Sequence, residues 1–148
     1  MVLDVLKLIS CPERQNIYRY LKELIAQPGG LGAAYKERTN LRAVGDKIAT
    51  FIIRDIGILN RGLVSGGYEL AFPIDTWVRQ LATKLDCPAK DDEGIKDYCI
   101  EECRKHDADA LLFAAGMWYM GLHAVDILID DCLNAVRLAG GNPGGNEP

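Results

Sequence analysis

Apolar residues recur along this chain at helical rather than strand spacing. Ile17, Leu21, Leu24 and Ile25 fall on one face at intervals of three and four. Ser10-Cys11-Pro12-Glu13 upstream has the form of a capping box with proline in the first turn, and predicts that a helix opens there. A short apolar helix over Val2–Ile9 precedes it, and Gln27-Pro28-Gly29-Gly30 ends the main one. Further helices are predicted from Leu31 to Asn40 and from Asp46 to Ile56, separated by the tight turn Leu41–Gly45. Gly57–Leu70 holds four glycines and is expected to be a loop. Asp75 is the natural N-cap of a helix reaching about Leu85. Asp86–Asp92 is a linker, Glu93–His106 another helix, and two more run from Asp109 to Tyr119 and from Leu122 to Leu138. No segment alternates in the manner of a strand. The expected class is all-α, one helical domain over residues 1–139 with a hairpin at about 31–57, and a flexible Gly, Asn and Pro tail over 140–148.

Composition narrows the setting. Of 148 residues, 49% are apolar, which is enough for one domain with its own core. Five cysteines, an odd number, argue against a disulfide framework. The start lacks the basic region of a signal peptide, and the apolar stretch Ala110–Ile129 is interrupted by His123 and Asp126. A soluble, cytoplasmic protein with no membrane partner is expected. Net charge is −4, but it is unevenly spread. Six bases face three acids between Tyr35 and Arg61, whereas twelve acids face four bases between Asp86 and Asp131. The first segment is the natural place for an anion, and the second is expected to lie away from one.

The turn Leu41-Arg42-Ala43-Val44-Gly45 leads into Asp46-Lys47-Ile48-Ala49. A glycine turn entering a helix N-terminus points backbone N–H groups outward, where the dipole favours a phosphate. An ordinary turn between helices has the same spacing. The second element is Phe72-Pro73-Ile74-Asp75-Thr76-Trp77, which places Asp75 twenty-eight residues after Lys47. Together the two segments resemble the hairpin and the Pro-x-Asp segment of the helix-hairpin-helix DNA glycosylases, and in particular the archaeal 8-oxoguanine glycosylases that also cleave the strand. The resemblance extends over about Tyr20–Leu133, including Phe113–Tyr119 near its end.

The resemblance implies a base-excision repair enzyme acting on oxidised purines in double-stranded DNA. Lys47 is then the nucleophile and Asp75 its catalytic partner, with Arg42, Val44, Gly45 and Arg54 on the DNA. The chemistry of the residues is compatible with this. A cation in the first turn of a helix meets the positive end of the dipole, and a neutral amine is a nucleophile. An aspartate held by helix N–H groups can stabilise positive charge on a sugar. Phe72, Trp77, Trp118 and Tyr119 are the aromatic candidates for holding an extruded base, although each also suits a core. Departures from the family are Ala43 in place of a hairpin glycine, Trp77 where many members carry histidine, and few residues before the hairpin. The last point predicts that apolar side chains of Val2–Ile25 are covered by a second copy or a partner subunit. The alternative function is a non-catalytic DNA-binding or interaction domain on the same scaffold. Cys99, Cys103 and His106 share a helix face, but their spacing suits buried and solvated positions better than one ion. Neither a metal nor a cofactor is expected.

Overall fold

The computed structural model describes residues 6, 7, 9–41, 44–124, 131, 134 and 135. These contain six α-helices and no strand. They are α1 (Ile17–Ile25), α2 (Gly30–Thr39), α3 (Asp46–Leu59), α4 (Thr76–Lys84), α5 (Asp92–Lys105) and α6 (Ala110–Ala124). Single 3-10 turns lie at Pro12–Arg14 and Tyr68–Leu70. None of the described helices is long and apolar enough to cross a membrane.

Side chains at the helix entrances set most of the boundaries. Arg19 N–H donates to Asn16 Oδ1 at 2.9 Å, so α1 starts after Asn16. The capping box expected at Ser10 does not form, because extended backbone at Asn16 separates Pro12–Arg14 from the helix and Ser10 Oγ instead donates to the Lys7 carbonyl. Val78 N–H donates to Asp75 Oδ1 at 2.9 Å and Gly94 N–H to Asp91 Oδ1 at 2.8 Å, opening α4 and α5. Asp109 Oδ1 accepts from Leu111 N–H and Leu112 N–H at the head of α6. These are the acceptor side chains that orphan N–H groups at a helix start require.

Two glycines expected to interrupt helices lie inside them. Gly57 is within α3, and a Cβ there would lie 2.6 Å from Leu111 Cδ1. The glycine thus makes room for α6 rather than ending α3. Gly121 is likewise inside α6, where a Cβ would lie 2.5 Å from Trp77 Cβ. One continuous helix therefore replaces the expected break between Tyr119 and Leu122. The second predicted helix, to Leu138, and the tail lie largely outside the described residues.

The core has two neighbouring parts. Leu21, Ile25, Ala34, Ile53, Ile56 and Leu111 form one, where α1, α2 and α3 meet the start of α6. Phe72, Val78, Leu81, Ile95, Ala114 and Met117 form the other, where α4 and α5 meet the middle of α6. Leu21 and Ile25 are thus covered by their own chain. The expected apolar contact face over Val2–Ile25 is reduced, among the described residues, to exposed Leu6 and Tyr18.

Between α1 and α2 the chain reverses at Gly29, whose φ is +72°, and Gly30 follows close against the backbone of Leu24. A Cβ at Gly30 would lie 1.8 Å from the Leu24 carbonyl oxygen. Gly30→Ala is therefore expected to cost about 1–3 kcal/mol through overpacking against backbone. Urea unfolding measures this, and a variant as stable as the parent would show that the corner opens freely.

Candidate active site

A cleft of about 500 Å³ opens between the start of α3, the segment before α4, and the start of α5. Lys47 lines it from the first turn of α3, flanked by Asp46 and Thr50. Thr50 Oγ1 donates to the Lys47 carbonyl at 2.8 Å, which ties the side chain of one turn to the backbone of the previous one. Phe72 and Ile74 form the apolar wall, and Tyr35 contributes from α2. Burial, and secondarily the Asp46 carboxylate, raises the Tyr35 phenol above its ordinary value, so it stays protonated as a hydrogen-bond donor.

Asp75 is 8% exposed and sits immediately after the wall residue Ile74. It is not part of the lining. One of its oxygens is committed to the N-cap of α4, and its charge also acts on Arg79 one turn on. The fold thus puts Lys47 on the cleft and Asp75 behind its wall. Asp75→Ala is expected to cost about 1 kcal/mol of stability, with Asp75→Asn closer to the parent because the amide oxygen still caps. Thermal unfolding of both variants checks this. Equal losses would mean that the charge, not the cap, matters.

The opposite rim is acidic. Asp92, Glu93 and Asp97 of α5 line the cleft together with Lys96, and Glu69 joins them from the preceding turn. Arg79 bridges α4 to α5 through two bonds to Asp92, at 2.5 and 2.6 Å. The guanidinium beside it holds the Asp92 carboxyl below the usual carboxylate range. Part of the acidic segment expected to lie away from a bound anion therefore lines the same cleft as Lys47. Sequence alone does not reveal this rim, because a run of acids at a helix start also satisfies the dipole without any site.

The basic segment is less available than its composition suggests. Arg54, expected on DNA, is buried on α3, with its guanidinium over the Phe51 ring at 4.6 Å and bonded to Asp55. Its Nη1, and Nε and Nη2 of buried Arg38, have no hydrogen-bond partner. Desolvation lowers the Arg38 pKa from its ordinary value. The amphipathic period of α3 gives the reason: Arg54 follows Ile53 on the core side, and its guanidinium is buried over Phe51. Lys36, Lys47 and Arg61 remain exposed. Val44 is half-buried and Gly45 exposed at the N-cap of α3, whereas Arg42 and Ala43 lie outside the described residues.

No family model, curated protein or solved structure matches this chain. The reading of the cleft therefore rests on its own groups. Of the aromatic candidates, Phe72 lines it, whereas Trp118 packs edge-on to Phe51 and Tyr119 lies against His123 with the two rings tilted. Cys99 and Cys103 are buried, and burial pushes the Cys99 thiol up to about 12, beside Met117 Sδ at 3.9 Å. His106 points outward toward Glu102. Among the described residues no group of three His, Cys, Asp or Glu is arranged to hold a metal ion.

Proposed function

We propose that the chain is a base-excision DNA glycosylase with lyase activity, acting on an oxidised purine in duplex DNA. The observation that supports this reading is Lys47 in the first turn of α3, facing a cleft whose apolar wall leads directly into the Asp75 cap. In the proposed reaction the unprotonated Lys47 Nζ attacks C1′ of the damaged nucleotide. The C1′–N bond breaks, and the base leaves with its electron pair and takes up a proton. Loss of the ring oxygen from C1′ then gives a Schiff base. Removal of a C2′ proton expels the 3′ phosphate by β-elimination. Asp75, buried and off the cleft lining, is assigned to stabilising through its charge, without direct contact, the positive charge that builds on the sugar.

The test is borohydride trapping on two duplexes, one with an abasic site and one with 8-oxoguanine. A covalent protein–DNA adduct on both supports the lyase and the base class. An adduct on the abasic duplex alone keeps the lyase and removes the oxidised purine. A second reading is a non-catalytic DNA-binding or interaction domain, and the acidic rim and the buried Arg54 favour its interaction form, since both weaken attraction for phosphate. Absence of both adduct and DNA binding would select the interaction form, and DNA binding without an adduct the DNA-binding form.

A further inference from the structure

α6 contributes Ala114 and Met117 to the core, yet its opposite face is apolar and exposed. Leu112 is 45% and Tyr119 62% exposed, and Phe113 and Met120 flank them on the same side. Gly116 lies between the two pairs, exposed, with no described residue within 4 Å of where its Cβ would be. Nothing among the described residues gives this glycine a steric reason, and it costs the helix about 1 kcal/mol relative to alanine. Gly121 and Gly57, by contrast, each make room for a neighbour within the chain.

The stripe has the spacing of a helix–helix seam. Asp109, Leu112, Gly116, Tyr119 and His123 follow one another at alternating steps of three and four, the heptad pattern that keeps one seam facing a partner. It is also symmetric about its glycine. Leu112 and Met120 lie four residues to either side of Gly116, Phe113 and Tyr119 three, and Asp109 and His123 seven. Asp109 and His123 are both exposed. Asp109 uses Oδ1 for the cap of α6, and the His123 ring lies tilted against Tyr119 with centroids 4.6 Å apart. No Lys, Arg, Asp or Glu interrupts Ala110–Ala124.

We infer that this chain pairs with a second copy of itself through antiparallel α6 helices that cross at Gly116. A two-fold axis at the glycine sets each Leu112 on the other copy's Met120 and each Phe113 on its Tyr119. Each acidic end then meets the other copy's His123, so a contact made once is made twice. A parallel arrangement would instead oppose Asp109 to Asp109. Charge and register thus select an identical copy. The seam extends about 21 Å along one helix, which places the contact at the small end of specific interfaces and its dissociation constant on the order of micromolar. The inference is independent of the role given to Lys47.

Sedimentation equilibrium of the full chain, at concentrations spanning the micromolar range, reads the association. The expected result is a mass that climbs toward twice the monomer, and that stays at the monomer in Tyr119→Glu and Met120→Glu with an unchanged circular-dichroism spectrum. Cysteine cross-linking then reads the register, in a background with Cys11 and Cys132 changed to Ser. Gly116→Cys is expected to form a disulfide-linked dimer on oxidation, and Leu122→Cys, off the stripe, is expected to form none. A monomer at every concentration overturns the inference, as does a dimer that tolerates Tyr119→Glu or cross-linking that is equal at both cysteines.

Discussion

Lys47→Gln is expected to abolish the borohydride-trapped adduct on abasic DNA, with a loss on the order of 10³-fold or more. The amide keeps most of the side chain's length and volume but has no amine to form a Schiff base. Because Lys47 is exposed on the first turn of α3 and contributes nothing to either part of the core, folding is expected to be unaffected. Lys96 is the informative control, since it lines the same cleft from α5. Lys96→Gln should keep the adduct and change affinity at most modestly. Loss of trapping in Lys96→Gln with retention in Lys47→Gln would move the nucleophile across the cleft. Retention in both would remove the lyase reading.

Phe72→Ala is expected to be the most damaging single truncation for stability, at about 3–5 kcal/mol. Phe72 is fully buried, is among the largest such side chains, and meets the Phe113 ring with centroids 6.5 Å apart. For a chain of this size the thermal midpoint should fall by roughly 10 °C. Phe72→Leu, which keeps most of the apolar volume, is expected to cost less. A loss below about 1 kcal/mol in Phe72→Ala would show that the site collapses to fill the space.

The helical class and most helix positions were readable from period and caps. The leucines and isoleucines of α1 mark its buried face, and Asp75 caps α4 as its place before Thr76-Trp77 suggests. What escaped were features set by distant contacts. Gly57 looks like a helix end until Leu111 and Val64 are seen against it, and Gly121 until Trp77 is. Ser10 has the form of a cap, but Asn16 takes that role. At the site, Lys47 and Asp75 stood out because residue types at fixed spacing can be read along a chain. The acidic rim did not, since Asp92, Glu93 and Asp97 come to line the same cleft as Lys47 only through the packing of α5. The burial of Arg54 is hidden for a related reason. A positive charge in a basic run says nothing about which way its helix turns.

The way α6 divides its side chains has a consequence for how the molecule comes apart. Leu111 belongs to one part of the core, and Ala114 and Met117, within two turns, belong to the other. Neither half can release its share of the helix without stripping apolar cover from its neighbour. Sub-global opening that frees α1 and α2 alone must therefore leave Leu111 exposed, and opening that frees α4 and α5 alone must do the same to Met117. The two clusters are thereby tied into one cooperative unit, and the central amides of α6 exchange with solvent only when the whole chain unfolds.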